Sequence, residues 1–234
     1  MSAHGEAGAR STMLRVEWLG TRSYDATQTL QRRLRDDVAA GLEPPTLLLL
    51  EHQPVITLGR RGEAGDLLVP ASHFSSLGIR VHQSERGGKA TYHGPGQLVG
   101  YLIARVRSIA PSLCQMVDDI EQTLICVSAG LSVETRTDPR QPGVWAGLAK
   151  LGFIGLAVHR GVCWHGFALN VAPDLAPFRL IKPCGLSDDV TSIAQCGGRI
   201  PPLREVGEYA AIELARRFSL TPSFAELDLA GAPA

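Results

Sequence analysis

Apolar residues recur at a spacing of three and four in the segment 24–40, which is typical of an amphipathic helix. Leu34 and Val38 lie on its apolar face, Ser23 stands where a helix N-cap is expected, and Gly41 follows as a stop. The pattern therefore predicts a helix between these two residues.

A second helix is predicted after Pro111, where Ile120, Leu124 and Val127 continue the same spacing until Gly130. A last helix is predicted over 205–218.

Short apolar runs bounded by glycine or proline predict strands. These runs cover 46–50, 55–58, 79–82 and 97–106, with two or three further strands within 143–171. Strands outnumber helices and do not alternate strictly with them, so we predict one α+β (α/β) domain with a mixed, largely antiparallel central sheet and packed helices. We place this single domain at 13–220, between polar tails at 1–12 and 221–234.

Composition narrows the functional classes. Among 234 residues, Lys plus Arg equals Asp plus Glu at 23 each, which argues against a protein that binds a nucleic-acid backbone. No apolar run approaches the roughly 18 residues of a membrane-spanning helix, so we predict no membrane partner. Five cysteines without a C-x-x-C pair indicate neither a disulfide framework nor a zinc cage, and favour a reducing cytoplasm.

A glycine-rich stretch, Arg86-Gly-Gly-Lys-Ala-Thr-Tyr-His-Gly-Pro-Gly-Gln97, lies between two predicted strands. Glycines let the backbone approach a ligand, and the interleaved polar side chains supply hydrogen-bond donors. The stretch lacks the Walker and G-x-G-x-x-G patterns, so it does not indicate nucleotide binding. An ordinary glycine-rich hairpin is the alternative.

Lys150 is the only charged residue between Trp145 and Val158. A lysine in such an apolar run either points to water from an edge strand or occupies a site that tolerates its charge. The sequence leaves both possibilities open.

Cys184 stands between Pro183 and Gly185, which predicts a turn that can present the thiol. Cys196, before two glycines, is the competing candidate for a reactive thiol. Cys114 and Cys126 are interpreted as small core residues of a helix, and Cys163 as a structural residue of a strand.

A thiol reacts as its thiolate, so a nearby ammonium would activate it. Lys150 and Cys184 therefore form a plausible dyad, which His93 or His165 could assist. A histidine beside Gly166 at a strand break is more often structural than catalytic. A metal site built from Cys163 and His165 is not favoured, because further ligands are not evident.

These stretches together resemble the lipoyl(octanoyl) transferase family of lipoate biosynthesis. The matching blocks are the stretch 86–97, Gly147-Leu-Ala-Lys150 with Gly155, His165-Gly-Phe-Ala-Leu-Asn-Val171, and Lys182-Pro-Cys-Gly-Leu186. The resemblance runs from about Leu14 to Phe218. It implies the fold of biotin and lipoate protein ligases.

The resemblance also implies a mechanism without a cofactor. Cys184 would take an octanoyl group from octanoyl-acyl carrier protein as a thioester, and Lys150 would lower the thiol pKa. The acyl group would then pass to a lysine of lipoyl domains, such as those of 2-oxoacid dehydrogenases and the glycine cleavage H protein. The implied substrate-binding residues are Arg86, Gly87, Gly88, Lys89, Ala90, Thr91, Tyr92, His93, Phe153, Ile154, Gly155, Gly166, Phe167 and Ala168.

Two alternatives remain at this level. One is an ATP-dependent lipoate or biotin ligase on the same fold, which activates its acid as an adenylate and needs no cysteine nucleophile. The other is an acyl-binding module without catalysis.

Overall fold

The computed structural model describes residues 13–182 and 189–225. Its strands are β1 Met13–Arg22, β2 Thr46–His52, β3 Val55–Leu58, β4 Arg80–Gln83, β5 Ala90–His93, β6 Gln97–Arg105, β7 Gly143–Ala146, β8 Ala149–His159, β9 Val162–Asn170 and β10 Thr221–Ala225. Its α-helices are α1 Tyr24–Ala40, α2 Ala71–Ser76, α3 Val106–Ile109, α4 Leu113–Gly130 and α5 Leu203–Arg217, with short 3-10 turns at Ala64–Asp66 and Ala176–Leu180.

Seven strands form the main sheet in the order β10-β1-β2-β6-β9-β8-β7. Strands β10, β1 and β2 pair in parallel, and every other neighbouring pair is antiparallel. The predicted mixed, largely antiparallel sheet is confirmed. A smaller sheet has the order β4-β3-β5.

Helix α1 begins and ends where the sequence predicts. The Ser23 side chain accepts a hydrogen bond from the backbone N–H of Ala26, which satisfies a donor of the first turn. Gly41 closes the helix in the left-handed conformation, with φ of 78°.

Helices cover both faces of the main sheet. Because side chains alternate along a strand, Leu47 and Leu49 of β2 pack in the core that contains α4 and α5, whereas Leu48 and Leu50 pack in the core with α1. The small sheet has a separate core, which Phe153 joins from β8.

Three strands depart from the sequence prediction. The sequence does not predict β1, and β5 lies inside the glycine-rich stretch 86–97, where no strand is predicted. β10 pairs with β1 from Met13↔Thr221 to Glu17↔Ala225, so the interpretation of 221–234 as a tail is wrong for 221–225. In the part of the chain that the structure describes, no helix has the length and apolar character needed to cross a bilayer.

Candidate active site

A cavity lies between the small sheet and strands β6, β8 and β9. Its empty volume, including open solvent at its mouth, is about 490 Å³. It is lined by Tyr24, Arg86, Gly87, Gly88, Thr91, His93, Val99, Tyr101, Phe153, Ile154, Gly155, His165, Gly166, Phe167 and Ala168. Three separate stretches that the sequence analysis singled out therefore meet at one cavity.

Alternation along β5 decides which residues of the glycine-rich stretch reach this cavity. Thr91 and His93 line it, whereas Ala90 and Tyr92 pack on the opposite side, in the core of the small sheet. Lys89 is not a lining residue, and its Nζ lies 3.6 Å from a carboxylate oxygen of Asp66.

Arg86 holds the loop before β5 together. Its guanidinium donates hydrogen bonds to the side chain and carbonyl of Thr57 at 2.6–3.0 Å and to the carbonyls of Gly87 and Lys89 at 3.0 and 2.7 Å. The Gly87 N–H in turn bonds the carbonyl of Leu156 on β8 at 3.0 Å. The loop is thus fixed against the strand that forms the facing wall.

Gly166 allows β6 and β9 to come close together beside the cavity. A Cβ atom at this position would lie 1.9 Å from the carbonyl oxygen of Gly100, far inside any tolerated contact. The glycine in the His165-Gly166 pair is therefore required by the backbone of the neighbouring strand.

Three buried histidines near the cavity are neutral. Burial lowers the pKa of His52 to about 4 and that of His165 to about 3, and the charge of Arg86 adds to the effect at His165. Burial also holds the pKa of His93 well below its ordinary value. His52 Nδ1 faces the Arg22 carbonyl and must donate, so its Nε2 accepts from the Tyr101 hydroxyl at 2.6 Å.

We expect these histidines to make the fold sensitive to acid. The folded pKa of His52 lies below its ordinary value of 6.5, so the unfolded chain takes up the proton first and stability falls as the pH drops from 6.5 towards 4. The loss from His52 alone should be about 3 kcal/mol. Urea denaturation should show a shallower decline across this range in a His52→Gln variant; an equal decline would contradict the assignment.

Lys150 lies on β8, inside the sheet, and is 3% exposed. Its ammonium donates to the Gln141 side-chain oxygen at 2.9 Å and to the Pro142 carbonyl at 3.0 Å. It also lies 4.6 Å from the ring centre of Trp145 and 5.2 Å from that of Phe153. Of the two possibilities that the sequence leaves open for Lys150, the structure excludes an exposed edge position, because β7 forms the edge and β8 is covered.

Gly143 and Glu121 accommodate the buried side chain of Lys150 and its charge. Gly143 has φ of 139°, and a Cβ there would lie 2.8 Å from the Lys150 Cε atom. The Gly143 N–H donates to Glu121 at 2.9 Å. Burial raises the pKa of Glu121, while the Gly143 hydrogen bond and the Lys150 charge act in the opposite direction.

The chain after residue 188 runs beside Lys150. The Lys150 N–H bonds the Asp189 carbonyl at 2.7 Å, and the Thr191 N–H bonds the Lys150 carbonyl at 2.9 Å. Cys184, the predicted nucleophile, lies outside the described residues, as do Pro183 and Gly185.

A chain of buried hydrogen bonds connects the cavity to this segment. His93 Nδ1 donates to Gln97 Oε1 at 2.6 Å, Gln97 Nε2 donates to Asn170 Oδ1 at 2.8 Å, and Asn170 Nδ2 donates to the Thr191 carbonyl at 2.9 Å. Each bond runs in the same direction, an arrangement in which neighbouring bonds strengthen one another. We call this chain the amide relay.

An Asn170→Leu variant should lower the free energy of unfolding by about 2–4 kcal/mol, because one N–H of the Gln97 amide loses its acceptor and the Thr191 carbonyl loses its donor in the interior. Gln195→Leu on the same segment, at an exposed position, should change stability by less than about 0.5 kcal/mol. Urea denaturation of both variants measures these changes. Equal losses of stability in the two variants would show that the amide relay does not stabilise the fold.

Comparison with known proteins identifies the family. The family model of the lipoyl protein ligase A/B catalytic domain matches residues 23–215. The chain belongs to this family. An octanoyltransferase from Geobacter metallireducens is 44% identical over 80% of this chain and 85% of its own length. One from Chloroflexus aggregans is 40% identical over 89% of this chain and 96% of its own length. These relatives confirm the predicted resemblance and the assignment as an acyltransferase.

Solved structures confirm the fold. A lipoate-protein ligase A bound with ATP superposes with a TM-score of 0.76 at 16% identity, covering 92% of this chain and 89% of that one. A biotin protein ligase from Aquifex aeolicus gives 0.52 at 12% identity, covering 87% and 68%. The predicted ligase-like fold of this lipoyl ligase A/B family member is therefore correct.

The remaining cysteines of this family member differ in burial. Cys163 is buried within β9, and burial raises the pKa of its thiol to about 12. Cys114 is exposed on α4, so its interpretation as a core residue is wrong, and Cys126 is half-buried. Cys196 is exposed, with its Sγ 3.5 Å from the Thr191 hydroxyl, and is a free thiol.

Residues 13–182 and 189–225 contain no group of three or more His, Cys, Asp or Glu side chains placed to hold a metal ion.

The sequence analysis missed several cavity residues. Val99 and Tyr101 stand two apart on β6, and their period of two was the available signal. Tyr24 reaches the cavity from the first turn of α1, where its OH bonds Ser84 at 2.6 Å; no local pattern marks it.

Proposed function

We propose that this protein is an octanoyltransferase that moves an octanoyl group from acyl carrier protein, through a thioester on Cys184, to a lysine of a lipoyl domain. The observation that carries the proposal is the meeting of loop 86–88, β8 and β9 around one cavity with Lys150 beside it. The names of relatives 40–44% identical to this chain support the octanoyl group as cargo.

In the first step the Cys184 thiolate attacks the thioester carbonyl of the donor. A new carbon–sulfur bond forms, the bond to the carrier's sulfur breaks, and the carrier leaves as a thiolate that takes up a proton from the Lys150 ammonium. One thioester replaces another, so the step is nearly balanced in free energy and needs no nucleotide.

In the second step the amine of the lipoyl-domain lysine attacks the Cys184 thioester. The carbon–nitrogen bond forms, the carbon–sulfur bond breaks, and the amine passes a proton to Lys150, which lost one in the first step. Formation of the amide drives this step, and the cysteine returns as a thiolate.

The surroundings of Lys150 support its part in both steps. Its ammonium is buried among oxygen acceptors and aromatic rings, where water does not screen its charge as it would at the surface. Residues 189–191 bond its backbone, and Cys184 is five positions before the first of them. A cation there would stabilise the thiolate and exchange a proton with the reacting groups.

The walls of the cavity suit a medium-length acyl chain. Phe153, Ile154, Phe167 and Ala168 line it from two adjacent strands, and Val99 lines it from β6. Each buried methylene contributes about 0.8 kcal/mol, so the depth of the cavity would select chain length.

The test is the mass of the intact protein after mixing with octanoyl-acyl carrier protein. We expect one added octanoyl group, released on adding a lipoyl domain that gains the same mass. Modification of the lipoyl domain with free octanoate and ATP, in the absence of the carrier, would instead indicate a ligase. A protein that binds octanoate but forms no adduct and modifies no domain would be a binding module.

A further inference from the structure

Two polar side chains in the cavity wall have no hydrogen-bond partner among the described residues. They are Thr91, through Oγ1, and His165, through both ring nitrogens. His165 is 1% exposed and Thr91 is 5% exposed. The backbone of His165 is nevertheless bonded, since its main-chain N–H donates to the Gln31 side-chain oxygen at 3.0 Å.

Unpaired polar atoms in a protein interior are rare and costly. A buried donor or acceptor without a partner costs about 1–3 kcal/mol, and nearly all such groups in native proteins are paired. Other such atoms lie elsewhere in the protein, but these three lie in the wall of a cavity, where a ligand can supply the missing partner.

His165 lies at the end of the cavity away from Lys150. The Lys150 ammonium is near Phe153, which pairs with Ala168, whereas His165 pairs with Leu156 three positions further along β8. At about 3.3 Å per residue the two pairs are about 10 Å apart. An extended eight-carbon chain built of bonds of about 1.5 Å is about 9 Å long. An acyl group with its carbonyl near Lys150 would therefore bring its last carbons to His165.

The imidazole of His165 offers both kinds of hydrogen bond. Burial lowers its pKa to about 3, so at neutral pH one nitrogen donates and the other accepts. The ring is held by stacking on Trp164, with 4.1 Å between ring centres. A hydroxyl group can pair with either nitrogen, whereas a terminal methyl group can pair with neither.

We propose that His165 forms a polar subsite at the far end of the cavity that binds a hydroxyl group near the end of a medium-chain acyl substrate. Thr91 contributes to it, because its strand partner Thr57 is bonded to Arg86, and the adjoining Gly87 is bonded to Leu156. The chemical class is the ω-hydroxyacyl group, with 8-hydroxyoctanoyl as its eight-carbon member. The inference rests on the proposed function for the direction in which the acyl chain enters.

Calorimetric titration of the full chain with octanoate and with 8-hydroxyoctanoate tests the subsite without requiring catalysis. The measured ratio is the dissociation constant of octanoate divided by that of 8-hydroxyoctanoate. His165→Phe keeps a ring but removes both nitrogens, and should lower this ratio about tenfold, the equivalent of one lost hydrogen bond. His165→Asn keeps a donor and an acceptor, suits the positive φ of 60°, and should retain most of the ratio. Thr91→Val should lower it to a smaller extent.

An unchanged ratio in His165→Phe would overturn the subsite, and so would failure of the unmodified protein to bind either acid. If His165→Phe does not fold, the other two variants test the subsite. The subsite requires a lower ratio in Thr91→Val and a largely retained ratio in His165→Asn. Absence of acyl transfer together with the expected ratios would overturn the proposed function and leave the subsite standing.

Discussion

A Cys184→Ser variant should lose acyl transfer by about 10³-fold or more and should form no adduct with octanoyl-acyl carrier protein. A serine hydroxyl stays protonated at neutral pH, so it cannot replace a thiolate that a neighbouring cation activates. The measurement is transfer of octanoyl to a lipoyl domain, followed by intact mass.

Cys196→Ser is the matched control. Cys196 is an exposed free thiol twelve positions further along the chain, and its replacement should leave the rate unchanged. If Cys184→Ser transfers octanoyl at the unaltered rate, or if Cys196→Ser loses transfer, Cys184 is not the nucleophile. The prediction for Cys184 itself stands on its sequence motif, since the residue lies outside the described part of the chain.

Elements with local signals were predictable from the sequence. Ser23 and Gly41 bound α1, and the apolar spacing of α4 ends at Gly130, because caps and spacing act within a few residues. β1 carries a comparable local signal, because apolar Leu14 and Val16 alternate with charged neighbours, although it is not among the strands that the apolar runs predict.

Features that depend on distant pairing were not predictable in the same way. β10 is a mostly exposed five-residue strand whose identity comes from pairing with β1, more than 200 positions earlier. The two-sheet arrangement likewise depends on β2 and β3 joining different sheets on either side of Pro54.

In the candidate site, too, features with local signals are predictable from the sequence and features that depend on distant residues are not. The glycine-rich stretch, Lys150 and the His165-Gly166 pair could be singled out because their composition is unusual in an apolar setting. The sequence left open whether Lys150 faces water, since that depends on β7 covering it. One hydrogen bond of the amide relay joins Gln97 and Asn170, which are 73 positions apart, so no local sequence pattern indicates the relay.

Lys150→Met should lower the rate of transfer by about 10²-fold or more and raise the pKa of Cys184 by about one unit or more. Methionine keeps most of the side-chain volume beside Trp145 and Phe153 but removes the charge. The pKa is read from the rate of thiol alkylation against pH, in a background where Cys114 and Cys196 are serine.

Lys150→Arg separates the two roles assigned to the lysine. A guanidinium keeps the positive charge but does not release a proton at accessible pH, so the alkylation profile should stay near that of the unmodified protein while transfer remains slow. Thermal denaturation of both variants should show that the fold is retained. If Lys150→Met leaves the alkylation profile where it was, the ammonium does not stabilise the thiolate; if Lys150→Arg restores full transfer, charge alone suffices and Lys150 moves no proton.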